Sequence, residues 1–425
     1  MIRNPNVADL PGEKQPTVVG SKMNQPLIQF ADVYKRFGAN QVLNGANLNI
    51  FQGEITTIIG KSGTGKSVLL KHIIGLLEPD SGRILFQGRS LSEMKRAEID
   101  SLKAKLSYMF QDTALFDSMS VYENVALPLK EATSLPKGEI RTRVWDKLKL
   151  FDLEGIDNKY PSQLSGGMKK RVALARALVT EPEIVLFDEP TTGLDPIRKS
   201  AVHSMISDYQ RRLGFTGVVI SHDIPDIFYI SQRVAMLDEG LIRFEGTPEE
   251  IQQASDEVVQ QFIQGLETPH DALTGMATQS QGERKFQEEM ARLESHQITF
   301  SVISFTVQNL DEVNEKLGHV TGQTVVKNLA SRVTQQLEIT DTCSRYGMNK
   351  IMVVQHNAKM DKARKFCIKL ARELRVSDFI EGEGQPGLNL WITAGFAEAR
   401  EGSPLKEVLT NAESTDSTYF EFRIE

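Results

Sequence analysis

The 425-residue chain is longer than one hydrophobic core usually supports, and its 40% hydrophobic content is ordinary for globular proteins, so two folded domains are expected and wholesale disorder is excluded. Forty-nine basic residues against 56 acidic ones leave a net charge of -7, the wrong sign for a protein that coats phosphate backbones, and nucleic acid is not an expected partner. The two cysteines, Cys343 and Cys367, exclude a disulfide framework and suit a reducing compartment, and no apolar run approaches the roughly 18 residues of a membrane-spanning helix.

Residues 1–26 carry four prolines and no apolar signal-peptide segment, and read as a tail. From 27 to 266, short β-rich runs at 54–59, 183–187 and 218–220 alternate with helical patterns, as in an α/β domain built on a largely parallel sheet. Residues 267–280 break the periodicity with Pro, Gly, Ser and Thr and read as a linker. Residues 281–425 change to an α+β pattern. A helix to 294, a strand over 298–307, helices over 311–317 and 323–336 and a hairpin over 346–355 are expected, then a helix over 362–374, a strand over 388–396 and a short helix over 405–412.

The string GKSGTGKS, residues 60–67, follows the apolar run EITTII and opens the helical pattern VLLKHIIGLL, the strand, glycine loop and helix context of a phosphate-binding loop. Gly60, Gly63 and Gly65 let the backbone of Lys61, Ser62 and Thr64 curl so that several N–H groups converge on phosphate oxygens above the positive helix end. Lys66 is placed to reach the β and γ phosphates and Ser67 to ligate Mg²⁺. Four apolar residues, 184–187, deliver Asp188 and Glu189 at a strand end, Asp188 as a metal carboxylate and Glu189 as the base toward water. LSGGM, residues 164–168, precedes KKRVALARAL with apolar residues on one helical face, a second glycine-rich helix start able to hold an anion.

These motifs, in this order, resemble the nucleotide-binding subunits of ABC transporters over residues 27–266. LSGGM looks like the ABC signature, Gln111 like the Q-loop residue, TTGLDP at 191–196 like the D-loop with Asp195, and His222 like the switch histidine; Tyr34 is placed like the aromatic residue that stacks on adenine. The resemblance implies ATP and Mg²⁺ as cofactors, Gln111 as a further metal contact, His222 beside Glu189 in catalysis, and a head-to-tail dimer in which Ser165, Gly166 and Gly167 of one copy close on the ATP held by the other. It also implies an integral membrane permease as partner. Met168 stands where most cassettes have glutamine, and LSGGMKKRVALARAL with SHDIPDIF is similar to the Mla/Mce-type ATPases. That similarity implies phospholipid traffic in the bacterial envelope, Mce-domain and accessory subunits, and a peripheral place on the cytoplasmic face of the inner membrane. An ABC transporter ATPase for another substrate, regulated through the second domain, is the alternative. A DNA-repair or translation ATPase is disfavoured, because only about 120 residues separate Lys66 from Asp188 and the chain holds one cassette.

DALTG at 271–275, NEKLGHVTGQ at 314–323 and SRYGMNKIMVV at 344–354 resemble the GGDEF domain of diguanylate cyclases. Cyclase chemistry needs carboxylates for divalent cations, and the resemblance places Thr306, Asn349 and Lys350 at those positions. Asn309 stands as the guanine-contacting asparagine with Gln323 in place of its acidic partner, and the inhibitory motif reads EITD at 338–341. The second domain is therefore expected to be an interaction module without cyclase activity.

Overall fold

Residues 25–266, 270–374, 379, 390–414 and 419–424 are described by a computed structural model. Most of the expected tail and the first part of the expected linker, 267–269, lie outside the described residues, as do 388 and 389 of the expected late strand.

The first half holds two sheets. Strands β1 (Ile28–Phe37), β2 (Asn40–Ile50), β4 (Ser81–Phe86) and β5 (Arg89–Ser90) form an antiparallel sheet in the order β2-β1-β4-β5. Strands β3 (Ile55–Ile59), β6 (Leu106–Met109), β7 (Ile184–Asp188), β8 (Thr216–Ile220), β9 (Arg233–Asp238) and β10 (Leu241–Gly246) form the second, in the order β10-β9-β3-β8-β7-β6, parallel except at β10. Every residue of β3, β7 and β8 is buried, which is why these strands read as continuous apolar runs and not as alternating ones.

Helices α1 (Lys66–Ile73), α2 (Arg96–Ala104), α3 (Val121–Ala132), α4 (Lys137–Leu150), α5 (Gly166–Leu178), α6 (Pro196–Leu213), α7 (Pro248–Gln252) and α8 (Glu257–Leu266) complete this half. The boundaries follow local chemistry. Ser120 and Glu123 make a reciprocal capping box at the start of α3. The Asp195 side chain caps α6, Pro196 opens it, and Gly214 closes it at φ 67°. Phe151 and Tyr209 stack with centroids 4.7 Å apart and join the end of α4 to α6.

The second half is an antiparallel sheet in the order β12-β13-β11-β14-β15, from β11 (Ser301–Val307), β12 (Thr342–Arg345), β13 (Lys350–Gln355), β14 (Leu390–Glu398) and β15 (Tyr419–Ile424). Around it lie α9 (Gln279–His296), α10 (Leu310–Leu317), α11 (His319–Thr334), α12 (Met360–Glu373) and α13 (Leu405–Glu413). Part of the expected linker belongs to this half. Leu273 and Met276 join its core, Asp271 is buried with its carboxylate accepting from the Thr274 N–H at 2.8 Å and the Thr274 hydroxyl at 2.7 Å, and Thr278 precedes α9. A turn that satisfies its own polar groups packs as structure despite its linker-like composition.

The two halves are docked along α6. Ser200 donates to Gln323 at 3.0 Å, and Asn314 donates to Ser204 and to Asp208 at 3.3 Å each. Arg211 pairs with Asp311 at 3.1 Å, and Arg212 with Glu315.

Candidate active site

Strand β3 ends at the glycine loop, and two glycines there are required by space as well as by backbone. At Gly60, φ 150°, a Cβ would lie 2.2 Å from the Leu237 carbonyl oxygen; at Gly65, φ 104°, it would lie 2.6 Å from a Val42 methyl. The loop opens onto a cavity of about 690 Å³ lined by Gly60, Lys61, Ser62, Gly63, Gly65, Lys66, Ser67, Gln111, Glu189 and His222. Ten of the expected site residues, scattered from 60 to 222 in the sequence, thus face one space. Thr64 stays inside the loop, its hydroxyl donating to the Lys61 carbonyl at 2.9 Å.

Lys66 lies buried with Nζ donating to the carbonyls of Gly60 and Lys61, both at 2.8 Å. Burial holds its ammonium below the usual lysine range, and the Glu189 and Asp188 carboxylates pull in the opposite direction. The Ser67 hydroxyl donates to Asp188 Oδ1 at 3.1 Å. Asp188 also accepts from Tyr108 at 2.8 Å; burial, with Asp188 beside it, pushes the Tyr108 phenol up, so this hydroxyl stays a donor. The Ser67 hydroxyl, the Asp188 carboxylate and the Gln111 amide would offer Mg²⁺ oxygen ligands, the type that this ion takes. Among the described residues no cluster of three or more His, Cys, Asp or Glu suited to a metal occurs.

Glu189 follows β7 with a left-handed backbone, φ 48°, uncommon for a residue with a side chain. Its carboxylate accepts from Gln111 Nε2 at 3.1 Å and from the Thr192 hydroxyl at 2.9 Å, and His222 Nδ1 stands 3.9 Å away. Lys170 reaches in from α5 and donates to the Gln111 carbonyl and, at 3.4 Å, to the Glu189 carbonyl. Burial lowers its ammonium.

Ser165, Gly166, Gly167 and Asp195 are not part of the wall of this cavity. Ser165 caps α5 through the Met168 N–H at 3.3 Å and is exposed, as is Gly166. Gly167 packs on Arg198, which pairs with Asp195 at 2.8 Å.

Tyr34 lies outside the wall of this cavity, to which the β1–β2 hairpin contributes Phe37 and Val42. A Cβ on Gly45 would lie 2.9 Å from the Tyr34 hydroxyl oxygen, so the phenol occupies the room that glycine leaves on β2, and β1 changes register between Lys35 and Arg36 before Phe37. Phe37, Tyr108, Lys170 and Phe262 on α8 were not singled out from sequence. The signal for Phe37 was its place just before the Gly38 turn; that for Tyr108 was an aromatic hydroxyl three positions before Gln111.

In the second half, Thr306 pairs with Lys350 across β11 and β13, and Lys350 is neutralised by Glu413 at 2.6 Å. Asn349 donates to the Val307 carbonyl at 3.0 Å. Asn309 and Gln323 have different partners: Asn309 accepts the Trp391 N–H at 2.9 Å, and Gln323 is engaged by Ser200 of the first half.

Residues 43–192 match the family model for ABC transporter, and residues 268–416 match that for diguanylate cyclase, GGDEF domain. The chain is 38% identical over 243 residues to the intermembrane phospholipid transport system ATP-binding protein MlaF of Haemophilus influenzae, covering 57% of this chain and 92% of that one. Against MlaF of Escherichia coli K12 the figures are 39% over 240 residues, 56% and 89%. The probable ribonucleotide transport ATP-binding protein mkl of Mycobacterium leprae is 40% identical over 240 residues, with 56% of this chain and 69% of that one covered. Among solved structures, CbiO1 of Clostridium perfringens, part of the ABC transporter complex CbiONQ, matches at TM-score 0.50 and 35% identity, covering 56% of this chain and 94% of that one.

Proposed function

The chain belongs to the ATP-binding proteins of ABC transporters, an ATP hydrolase of the MlaF and Mkl type followed by a GGDEF domain, and from that premise we propose that it drives phospholipid transport in the bacterial envelope. It acts as a homodimer on a separate integral membrane permease, held at the cytoplasmic face of the inner membrane, with Mce-domain and accessory subunits in the same assembly. No helix among the described residues is long and apolar enough to cross a membrane, which fits a motor that reaches lipid through a partner.

The observation that carries this reading is the convergence of the glycine loop, Gln111, Glu189 and His222 on one cavity, in a domain at 38% identity to a phospholipid-transport ATPase. In the proposed reaction the loop N–H groups and Lys66 hold the β and γ phosphates of ATP, and Ser67, Asp188 and Gln111 would hold Mg²⁺, which would supply positive charge against the phosphates. Glu189, oriented by Gln111 and Thr192, accepts the proton of the attacking water while His222 faces the γ phosphate. Ser165 and Gly166 are exposed at a helix start, as needed to close on the triphosphate of a second copy, with Gly167 buried behind them. Asp195 supports that contact by capping α6 and fixing Arg198 against Gly167.

The second domain is proposed to have no cyclase activity. Thr306 pairs with Lys350 across the sheet, Lys350 pairs with Glu413 and Asn349 donates to the Val307 carbonyl, and none of the three offers a divalent cation a carboxylate of its own.

Reconstitution with the permease in vesicles carrying a fluorescent phospholipid tests the function. ATP-dependent movement of the lipid, lost in Lys66→Ala, is expected. ATP hydrolysis that moves and responds to ribonucleotides and ignores phospholipid would instead favour the activity named for the mycobacterial relative.

A further inference from the structure

Arg345, at the end of β12 in the second domain, is the largest fully buried side chain among the described residues. Its Nη1 lies 3.2 Å from Asp271 and 3.5 Å from Asp226, its Nη2 donates to Ser200 at 3.0 Å, and its guanidinium sits over the Tyr229 ring at 4.9 Å. The Tyr229 hydroxyl in turn donates to the Arg345 carbonyl at 3.4 Å. Three of these partners, Ser200, Asp226 and Tyr229, belong to the first domain. Ser200 lies on α6, the helix that starts at Asp195; Asp226 and Tyr229 form the short turn that follows His222.

That turn is continuous with the switch histidine. Ile224 N–H donates to the His222 carbonyl at 3.0 Å, and Ile227 N–H to the Asp223 carbonyl at 2.9 Å. Asp223 accepts from Lys199 on α6 and from the Thr191 hydroxyl, two residues past Glu189. The segment 222–229 is held by its own domain, through Asp223 and through Ile224, Ile227 and Phe228 in the core, and Arg345 from the next domain adds its contacts at Asp226 and Tyr229.

A buried guanidinium is a costly way to join two domains, since desolvation offsets much of its attraction, and an apolar side chain of similar volume docks as well. What it adds is geometry: a planar, permanently charged fork that fixes two carboxylates and a hydroxyl at once. The ion pairs Arg211 with Asp311 and Arg212 with Glu315 are exposed and contribute little, while the Asp208 and Asp152 carboxylates of the first domain accept from Asn314 at 3.3 Å and from the His319 N–H at 3.2 Å.

We propose that Arg345 is a positioning residue for ATP hydrolysis, holding through Asp226, Tyr229 and Ser200 the segment that carries His222 and the helix that follows the D-loop. The inference rests on the hydrolytic reading of the first domain. The second domain then sets the turnover of the motor, not its affinity for nucleotide, because Arg345, Ser200, Asp226 and Tyr229 are not among the residues that line the cavity.

Steady-state ATP hydrolysis by the full-length chain tests it, with folding followed by circular dichroism. Arg345→Met is expected to lower kcat by about tenfold to hundredfold, as misplacement of a catalytic group does, with KM for ATP changed by less than about twofold. Arg345→Lys, which keeps the charge, recovers part of the loss. A folded Arg345→Met protein with kcat within about twofold of the parent overturns the proposal, as does a parallel loss of kcat and ATP affinity. If Arg345→Met does not fold, Ser200→Ala decides: it removes one neutral partner, and kcat must fall with KM unchanged, an unaltered kcat overturning the inference. Lys66→Ala separates the two levels. Should it hydrolyse ATP at the parental rate, the reading of the site falls; should it be inactive while the Arg345 and Ser200 variants are not slowed, only the positioning role falls.

Discussion

Gln111 Nε2 donates to Glu189 Oε2 across 3.1 Å, so the Q-loop-like residue is hydrogen-bonded to the proposed base. Movement of Gln111 would then change the orientation of the carboxylate proposed to meet water. Glu189→Gln keeps the shape and removes the basicity, and kcat should fall by about 10²- to 10⁴-fold while ATP binding, followed with a fluorescent analogue, stays near the parental value. A variant that turns over at more than a tenth of the parental rate would show the base to be another group.

Phe37 and Tyr34 offer a clean comparison, because both are partly exposed aromatics on β1 and only Phe37 lines the cavity. Loss of a ring that stacks on a base costs about 1–3 kcal/mol, so Phe37→Ala should weaken ATP binding by roughly fivefold to hundredfold. Tyr34→Ala should leave it within about twofold, and should act on stability instead, through the space it empties above Gly45. Equilibrium titration with ATP reads both, and the reverse ranking would restore Tyr34 to the adenine.

The contrast between these two residues marks what sequence can carry. The glycine loop, the strand ending in Asp188 and Glu189, and the capped start of α5 were legible because each concentrates its chemistry in a few consecutive residues with an obligatory backbone context. Most of the helices and strands of the second half were legible from periodicity, within a few residues at their ends. Which of two aromatics on one strand lines the cavity depends on a register change that no local pattern announces. The docking along α6 was hidden for a related reason: Ser200, Asn314 and Gln323 are ordinary polar residues on amphipathic helices, and only their pairing over more than 100 positions makes them a buried interface. The burial of Arg345 and Asp271 is of the same kind, since an isolated charge in a string reads as solvated.

Ser165 and Lys66 should complement each other between copies if the cavity is closed by a partner. A mixed dimer of Lys66→Ala with Ser165→Arg places both lesions in one composite site and leaves the other intact, since each copy lends its glycine loop to one site and its LSGGM to the other. Each variant alone should be inactive, and an equimolar mixture should regain hydrolysis, in an amount set by the half of random dimers that are mixed. A cavity completed within one chain predicts no recovery. The readout is phosphate release before and after mixing.

Asp226 should give the interface a pH dependence of defined sign. Burial pushes its carboxyl up, to about 7, with Asp271 and Asp223 adding to the rise and Arg345 opposing it. An acid whose pKa is higher in the folded than in the unfolded chain binds its proton more tightly when folded, so its contribution is full below about 4 and is lost as pH rises toward 7. His203 and His319 act in the other direction. Burial lowers both to about 4, and each favours folding increasingly as pH rises from about 4 to 6.5. The wild-type curve mixes these slopes, and Asp226→Asn isolates one of them. Relative to the parent, the asparagine variant should gain stability with rising pH by up to about 1.4 kcal/mol per unit between pH 4 and 7, and the gain should level off above that. Urea unfolding of both proteins across pH 4 to 8 measures the difference. A difference that is flat with pH, or that shrinks as pH rises, would mean that Asp226 is ionised at the interface throughout and that Arg345 neutralises it fully.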